Sequence, residues 1–554
     1  MTENWWEKAI VYQIYPKSFK DTNNDGIGDL QGIIKSLDYI KELGVNTLWL
    51  NPIFISPQVD NGYDISNYYA IDEIFGDIRD VEELINEAHK RDLKIIFDLV
   101  LNHTSSQHPW FQEALKGPDN LYRDYYLWAD EQLDGSLPNN WESFFGGSVW
   151  EKDYKSDQYY FHLFDKEMPD LNWENPEVMK SMIDIAKFWL DKGIDGFRLD
   201  AFIHMIKSKF SFQVANVSKG EIAIAEEYYA NLPEVKHYLS EFISAIKHIK
   251  PDCFILGEAA SATPELADSY IREDLCGAVI SFDHFDEKII GDDERIPEGL
   301  EERAIDSKKM KANLSAWQEA LTPNKYPTLY WNNHDMPRAV SRFGDDELYR
   351  DKSAKALATG MYLLKGIPVI LYGEEIGMKN LAVDSVDTFQ SPKAVRQHIQ
   401  LLESGFSKAE SLGIIASVNK EASRGVMQWN KSDFAGFSTK ASWIGENVEE
   451  KYNVESELKD ETSILRFYQK LLKLKQEDIF SLGDVEFLES SDQLLAYKRT
   501  YEDQSAVVLV NLTNEKVETP EWLAQYKDWQ EVLSSEVEMD EKELLPYTYI
   551  VYKN

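Results

Sequence analysis

Short apolar runs alternate with amphipathic stretches along the first two thirds of the chain. Eight of these runs have strand length and are rich in β-branched and aromatic residues: residues 10–15, 47–50, 94–100, 196–201, 253–258, 278–282, 328–331 and 369–372. Strands that alternate with helices build a parallel sheet, and eight such units close into a barrel. The pattern therefore predicts an α/β fold, a (β/α)8 TIM barrel.

The stretches between the runs have the spacing of helices that bury one face. In residues 30–43 the apolar side chains recur three and four positions apart, and Gly44 ends the segment. A second such face is closed by Gly193 and consists of Val178, Met182, Ile185, Ala186, Trp189 and Leu190. The barrel prediction thus rests on helical period as well as on the number of strands.

Three regions depart from the alternation and suggest appendages. Residues 104–173 are rich in aromatic residues, Gly, Asn and Asp, which indicates a B domain inserted after the third strand. Residues 382–453, after the eighth strand, are predicted to be an irregular insertion. From residue 482 to 554 short alternating strands predict an antiparallel β domain. The catalytic barrel would then comprise residues 1–103 and 174–481.

The composition restricts the kinds of partner and the cellular compartment that we expect for this protein. A formal net charge of −39 opposes binding to nucleic acid or to an anionic membrane. Neither a leader pattern at the amino terminus nor a membrane-spanning apolar run is seen. Cys253 and Cys276 each lie in an apolar segment, which favours two buried free thiols. We therefore expect a cytoplasmic monomer or homodimer with a neutral or cationic small-molecule ligand.

Charged and polar residues end or follow four of the predicted strands. They are Asp98 and His103 at strand three, Arg198 and Asp200 at strand four, Glu258 at strand five, and His334 and Asp335 after strand seven. A single carboxylate at a strand end commonly caps a helix or binds a loop. Four such ends at the mouth of one barrel, where the active site of this fold gathers, favour a catalytic cluster.

Glycoside cleavage is the chemistry that such a cluster suits. It needs one protonated carboxyl group to protonate the leaving oxygen and one ionised carboxylate opposite it. Arg198 is expected to keep Asp200 ionised, whereas the apolar strand around Glu258 is expected to raise the pKa of that carboxyl and suit it to the acid role. The carboxyl separation, and hence retention or inversion, does not follow from the sequence.

These segments resemble the α-amylase superfamily, glycoside hydrolase family 13, near its α-glucosidase and oligo-1,6-glucosidase branch. The resemblance covers nearly the whole chain and rests on residues 98–103, 196–200, Glu258 and 333–335, in the family order. It implies that Asp200 is the nucleophile, Glu258 the acid/base, and Asp335 a carboxylate that binds sugar hydroxyls and stabilises the transition state. It also implies that His103, His334 and Arg198 contact the sugar or hold the nucleophile.

The resemblance extends to a closed pocket for the terminal sugar. It implies that Asp60 grips the outer hydroxyls, that Tyr63 stacks on the ring and that Phe164 forms part of the wall, which makes the enzyme exo-acting. Lys420 and Arg424 stand where the branch has further hydroxyl-binding residues, and Lys420 lacks the bidentate fork of the usual Arg. A second departure is Met168, which replaces the usual Gln.

An Asp- and Asn-rich loop follows the first strand and suggests a divalent cation. Oxygen ligands recur at alternate positions around a tight turn at Asp21, Asn23, Asp25, the Ile27 carbonyl and Asp29. Similar loops of the branch hold calcium. The sequence thus predicts one structural Ca²⁺, or Mg²⁺, remote from the chemistry; a turn without metal is the alternative.

The linkage preference is predicted from Ala201, which follows the nucleophile. In similar enzymes Val at this position accompanies α-1,6 cleavage, and Ala, Gly or Thr accompanies α-1,4 cleavage. We therefore expect release of glucose from the non-reducing end of maltose and malto-oligosaccharides. The alternatives are an oligo-1,6-glucosidase, a trehalose-6-phosphate hydrolase or a sucrose-acting transglycosylase. A non-catalytic transporter heavy chain is disfavoured because Asp200, Glu258 and Asp335 are all present.

Overall fold

Eight parallel strands form the main sheet of the computed structural model, which describes residues 4–218, 220–321, 325–535 and 542–554. These strands, β1 to β8, are Val11–Ile14, Thr47–Leu50, Lys94–Val100, Gly196–Asp200, Phe254–Glu258, Ala278–Ile280, Thr328–Leu329 and Ile367–Leu371. Their order in the sheet is β6-β5-β4-β3-β2-β1-β8-β7. This consecutive order is that of a nearly closed (β/α)8 barrel and confirms the predicted fold.

The two predicted helical faces lie in α-helices that follow barrel strands in the chain. Helix Pro176–Asp191 buries the predicted apolar face, whereas the helix expected over 30–43 is divided at Ser36, whose hydroxyl donates to the Gly32 carbonyl at 2.8 Å. The helices are Pro16–Phe19, Leu30–Lys35, Leu37–Leu43, Ile78–His89, Pro109–Ala114, Pro176–Asp191, Glu226–Tyr229, Val235–Ile249, Pro264–Tyr270, Ser307–Leu321, Ala339–Arg342, Arg350–Tyr362, Pro392–Glu403, Lys408–Ala416, Val454–Glu457, Ile464–Lys475 and Asp478–Ser481.

One compact unit comprises Trp49–Asn86 and Lys94–Ser281. Its core includes Trp189, whose ring lies 5.2 Å from that of Phe54 and 5.5 Å from that of Phe97. The predicted inserted domain contributes a three-stranded antiparallel sheet to this unit. The smaller strands of the unit are Phe54–Ile55, Asn67–Ile71, Trp128–Ala129, Trp150–Asp153 and Gln158–Phe161.

The other unit comprises Met1–Leu48, Glu87–Leu93 and Phe282–Asn554. It contains an antiparallel sheet of five strands, β9 to β13: Asp484–Phe487, Leu494–Tyr501, Gln504–Asn511, Gln530–Ser534 and Tyr549–Lys553. The order of this sheet is β9-β10-β11-β13-β12, which confirms the antiparallel domain expected at the carboxyl-terminal end. The unit also has two small strand pairs, Glu287–Ile289 with Arg303–Ile305 and Val517–Glu518 with Glu543–Leu544.

The segment 382–453 is more regular than the sequence suggested. It contains helices Pro392–Glu403 and Lys408–Ala416. The Ser391 side chain caps the first helix and Ser407 forms a capping box with Glu410 at the second, so that local hydrogen bonds start both helices. Helix Lys408–Ala416 is only nine residues long and its apolar residues are not confined to one face, so the sequence shows no clear helical period there.

Both cysteines are buried free thiols, as predicted. Burial raises the pKa of Cys253 and of Cys276 to about 12, so neither is a reactive thiolate at neutral pH. Among the described residues, no helix combines the length and the apolar character needed to cross a membrane.

Candidate active site

Three carboxylates gather around one guanidinium at the carboxyl ends of β3, β4 and β5. Arg198 lies beside Asp98 in the register of β3 and β4. Its Nη1 donates to Asp98 Oδ1 at 2.7 Å and to Asp200 Oδ1 at 2.6 Å, and its Nη2 donates to Glu258 Oε2 at 2.5 Å. Arg198 and Asp98 are each 1% exposed. The structure thus brings together the predicted nucleophile, the predicted acid/base and Arg198.

Burial raises the pKa values of two carboxyl groups in this cluster. Burial raises the pKa of Asp98 to about 6, against the opposing effect of Arg198. Burial likewise raises the pKa of Asp200 well above its ordinary value; Arg198 opposes this shift, while the charges of Glu258 and Asp98 add to it. The expectation that Arg198 keeps Asp200 ionised by itself is therefore wrong.

The surroundings of Asp98 fix the orientation of the group. Trp49 Nε1 donates to Asp98 Oδ2 at 3.1 Å, and the Tyr63 hydroxyl donates to the same oxygen at 3.0 Å. Asn51 Nδ2 in turn donates to the Tyr63 hydroxyl at 2.8 Å. Tyr63 is thus tied to the carboxylate group through its hydroxyl. Sequence reasoning missed Trp49 and Asn51, which have no pattern that separates them from core residues.

Ala201 has a strained backbone beside the acid/base. Its φ is 47°, in the left-handed region, and it begins a short 3-10 turn, Phe202–His204. The Ala201 N–H donates to Glu258 Oε2 at 3.2 Å. Because non-glycine residues seldom adopt this conformation, a β-branched side chain here would add further strain.

His103 lies against an aromatic wall. Its ring centroid is 5.2 Å from that of Phe164, which in turn is 5.7 Å from Phe144. Burial lowers the pKa of His103 to about 4, while the charges of Asp170 and Asp60 act in the opposite direction. His103 is therefore a neutral imidazole at neutral pH, and Asp60, which is half-buried, lies near enough to act on it electrostatically.

A second group of polar and charged residues contains Asp335. Gln13 Nε2 and His334 Nδ1 lie 2.8 Å apart, and His334 Nε2 lies 3.2 Å from Asp335 Oδ2. Arg424 Nη2 is 3.3 Å and Lys420 Nζ is 3.8 Å from Asp335 Oδ1. The structure thus brings together the four predicted residues of this group.

Arg424 is the buried centre of the second group. Its Nη1 donates to Glu421 Oε1 at 3.0 Å, and its Nε donates to the His334 carbonyl at 2.9 Å. Sequence reasoning missed Glu421 and Gln13. Glu421 lies three residues before Arg424 in the 3-10 helix Lys420–Arg424, a spacing that can signal an ion pair. Gln13 lies 321 residues from His334 and had no such signal.

The predicted cation loop is held by its own backbone. Asp21 Oδ1 accepts the N–H groups of Asn23 and Asn24 at 3.1 and 2.7 Å, and Asp29 accepts those of Thr22 and Gly32, each at 2.7 Å. Asp25 Oδ1 accepts the Ile27 N–H at 2.8 Å. No group of three or more His, Cys, Asp or Glu side chains within the described ranges is arranged to hold a metal. A cation would have to share these oxygens with N–H donors, and the metal site stays a prediction.

Comparisons with known proteins agree with the fold. The model of the alpha amylase catalytic domain matches residues 13–483, which is most of the chain. The chain therefore belongs to the alpha-amylase family of glycoside hydrolases, as the sequence motifs indicated.

Several named enzymes of this family are similar to the chain over nearly its whole length. An oligo-1,6-glucosidase of Halalkalibacterium halodurans is 42% identical over 92% of this chain and 91% of the relative. A trehalose-6-phosphate hydrolase of Bacillus subtilis is 41% identical over 99% of this chain and 98% of the relative. A solved structure described as a family GH13_31 enzyme is 43% identical, has a TM-score of 0.90 and covers 100% of both chains.

Proposed function

We propose that this protein is a retaining exo-α-glucosidase that hydrolyses α-1,6-linked gluco-oligosaccharides from the non-reducing end. The binding of the Asp200 and Glu258 carboxyl groups to the same guanidinium, at 2.6 and 2.5 Å from Arg198 Nη1 and Nη2, carries the proposal. Inverting enzymes keep their carboxyl groups about 6.5 to 9.5 Å apart to admit a water molecule, whereas retaining enzymes keep them closer. Two carboxyl groups held by one guanidinium lie close together, which supports retention.

The proposed reaction has two displacements. Asp200 attacks the anomeric carbon and forms a glucosyl ester, while Glu258 gives its proton to the leaving glycosidic oxygen. Glu258 then takes a proton from water, which attacks the same carbon, breaks the ester and restores the Asp200 carboxylate.

The remaining predicted residues are assigned to sugar binding. We infer that Asp335 accepts hydrogen bonds from sugar hydroxyls and stabilises positive charge in the transition state. His334, Lys420 and Arg424 hold this carboxylate in place, which their distances to it support. The family resemblance assigns Asp60, Tyr63, His103 and Phe164 to the binding of the terminal glucose.

The α-1,6 assignment replaces the α-1,4 preference that Ala201 suggested. The α-1,4 expectation is not confirmed, and the name of the oligo-1,6-glucosidase relative, at 42% identity, favours its alternative. Ala201 still acts on the acid/base, because its N–H donates to Glu258. One side chain does not by itself decide the linkage. A trehalose-6-phosphate hydrolase remains the second candidate, because one relative with that name is 41% identical.

Initial rates on isomaltose, maltose, sucrose and trehalose 6-phosphate test the linkage. We expect isomaltose to have the highest kcat/KM. With an aryl α-glucoside, whose leaving group is not glucose, we expect the α-anomer of glucose to appear first in NMR spectra, because retention preserves the anomeric configuration. A preference for maltose or trehalose 6-phosphate would overturn the linkage, and initial release of β-glucose would overturn retention.

The Ala201→Val variant tests the role of this position, with Ala260→Val as a control in a neighbouring loop. We expect the ratio of kcat/KM for isomaltose to that for maltose to rise, by about 10-fold, since one or two methyl groups alter discrimination by that order. An unchanged ratio would remove Ala201 from the linkage determinants. The cytoplasmic location and the monomeric or dimeric state expected above stay predictions.

A further inference from the structure

A small cavity lies beside the segment that follows β7, and its lining residues all belong to Phe282–Asn554, within one compact unit. The lining comes from the segments 331–340 and 374–378 and from helices Arg350–Tyr362 and Ile464–Lys475. The volume open to the centre of a water molecule is about 10 Å³. One bound water needs about 10 to 15 Å³ by the same measure. The cavity therefore has room for one water molecule or one small ion and is too small for a sugar.

Three polar side chains in the lining are almost fully buried. Asn332 is 0% exposed, Arg338 1% and Glu374 6%. Both amide atoms of Asn332, the Nε and Nη2 atoms of Arg338 and the Oε2 atom of Glu374 have no hydrogen-bond partner in the part of the chain that the structure describes. Buried polar atoms are nearly always hydrogen-bonded, either to protein or to ordered water. Five such atoms on three side chains around one small cavity indicate a bound ligand.

The other polar atoms of Arg338 and Glu374 hold these side chains in place. Arg338 Nη1 donates to the Tyr372 carbonyl, and the guanidinium carbon lies 4.6 Å from the centre of the Tyr372 ring. Glu374 Oε1 accepts hydrogen bonds from the hydroxyl groups of Tyr362 and Tyr468, the second at 2.8 Å. Each side chain is thus fixed on one side and has its remaining polar atoms available, which lowers the entropic cost of binding a ligand.

The chemistry of these atoms favours water over an ion. An anion only accepts hydrogen bonds, so it would leave Asn332 Oδ1 and Glu374 Oε2 unpaired and would meet the charge of Glu374. A cation would meet the guanidinium of Arg338. Burial raises the pKa of Glu374 to about 7, so at neutral pH this group is partly protonated. Water can donate to its carboxylate form and accept from its carboxyl form, and it can also bind both the amide and the guanidinium.

The residues of the cavity flank the segment that carries Asp335. Asn332 precedes Asp335 by three residues and Arg338 follows it by three. Within the segment, the Asp335 N–H donates to Asn333 Oδ1 at 2.8 Å, and at its end the Arg338 N–H donates to Asn380 Oδ1 at 2.8 Å. A ligand bound by Asn332, Arg338 and Glu374 therefore ties both ends of this segment to the 3-10 turn that follows β8.

We propose that this cavity binds one water molecule, which bridges Asn332, Arg338 and Glu374 and thereby positions the segment of Asp335. Asn332 is then a positioning residue: it contacts the water rather than the sugar and acts through Asp335. The positioning role rests on the proposed function, in which Asp335 stabilises the transition state. The water site itself does not depend on that function.

A high-resolution crystal structure of the full-length protein tests the water site, with one crystal soaked in sodium bromide. We expect one density peak within about 3.2 Å of nitrogen or oxygen atoms of Asn332, Arg338 and Glu374, without an anomalous bromine signal. A bromine signal at this position would identify an anion site, and the lack of a peak would identify a dry cavity; either result overturns the proposal. The measurement needs no activity, so it tests the site even where the proposed function fails.

The variant Asn332→Leu tests the same site in solution, because Leu is close to Asn in shape but has no polar side-chain atoms. Loss of one partner of the bound water should lower the melting temperature by a few degrees. A dry cavity predicts the opposite sign, since burial of an unpaired amide is costly and burial of Leu is favourable. Asn514→Leu, the same replacement at an exposed position, should melt with the wild type. An unchanged or higher melting temperature in Asn332→Leu overturns the water site, and where this variant does not fold the wild-type crystal structure decides.

Kinetics separate a positioning role from a contribution to stability alone. On an aryl α-glucoside we expect kcat of Asn332→Leu to fall about fivefold, the effect of one hydrogen bond. KM should change by less than about twofold, because the contribution of Asp335 is made in the transition state. A lower melting temperature with unchanged kcat would overturn the positioning role. An inactive wild type would instead overturn the proposed function, and the crystal structure and the melting temperature would still test the water site.

Discussion

The Arg198 group and the Asp335 group differ in their balance of carboxylates and cations. The first places the carboxylates of Asp98, Asp200 and Glu258 around one guanidinium. The second places two carboxylates, Asp335 and Glu421, beside the two cations Lys420 and Arg424. Burial and the charges of the neighbouring carboxylates raise the pKa of Asp200 in the first group. The balanced second group can instead hold a carboxylate in a fixed position for binding.

The largest expected effect is the loss of chemistry from the first group. Glu258→Gln should lower kcat by about 10²- to 10⁴-fold, as loss of a general acid does, and Asp200→Asn, which removes the nucleophile, should lower it at least as much. Thermal stability should remain near that of the wild type, because both variants keep the shape of the side chain. The checks are steady-state kinetics and thermal unfolding, with the exposed variant Glu265→Gln as control. More than a tenth of wild-type activity on an aryl α-glucoside in Asp200→Asn would refute the nucleophile assignment.

Weaker effects are expected from the second group, and they should differ between its two cations. Arg424→Lys should raise KM or lower kcat by about 10-fold or more, because Lys cannot bridge Asp335, Glu421 and the His334 carbonyl at once. Lys420→Ala should change kcat/KM by no more than about fivefold, because Lys420 is partly exposed and 3.8 Å from Asp335. Equal losses in the two variants would contradict the view that Arg424 is the centre of this group.

The pH profile tests the effect of the Asp98 charge on Asp200. The charge of Asp98 raises the pKa of Asp200, so Asp98→Asn should lower that pKa. The acid limb of kcat/KM, where activity falls as Asp200 takes up a proton and can no longer act as nucleophile, should then move to lower pH. Asp119→Asn, in an exposed loop, should leave the limb in place. A limb that moves to higher pH would show that Asp98 does not act through charge.

The smallest expected effect concerns the loop at Asp21 to Asp29, whose carboxylates are bound by N–H groups rather than by a guanidinium. If this loop binds Ca²⁺ or Mg²⁺, exhaustive chelation should lower the melting temperature by a few degrees and leave KM unchanged. Asp25→Asn should give the same melting temperature with and without metal. Unchanged melting after chelation, with no metal in elemental analysis, would leave the loop as an ordinary turn.

Much of the fold could be predicted from the sequence because the strands are apolar runs with clear ends. The bounds of β2 and β3 were predicted as they are observed, and the face of helix Pro176–Asp191 followed from its period. Helices Pro392–Glu403 and Lys408–Ala416 were missed: the segment around them is irregular, and the second helix has only nine residues, whose apolar side chains are not confined to one face.

The sequence predicted the carboxylates of the candidate site but not the residues that hold them in place. Asp200 and Glu258 end β4 and β5, and Asp335 lies in the loop after β7; these positions in a barrel indicate an active site. Trp49 and Gln13 bind residues that are distant in the sequence, so no local sequence pattern predicts these contacts. The balance of burial and charge at Asp200 also required coordinates, because it depends on how many carboxylates share Arg198.

The pairing of β1 with β8 has a consequence for how the chain is made. Val11 pairs with Val369 and Gln13 with Leu371, so the first strand has its partner near the far end of the barrel sequence. At roughly 5 to 20 residues per second, a ribosome completes β8 about 20 to 70 s after β1. During that interval one edge of β1 is unpaired, and an unpaired apolar edge invites aggregation. Slow translation or truncation before residue 367 should therefore increase the demand for chaperones.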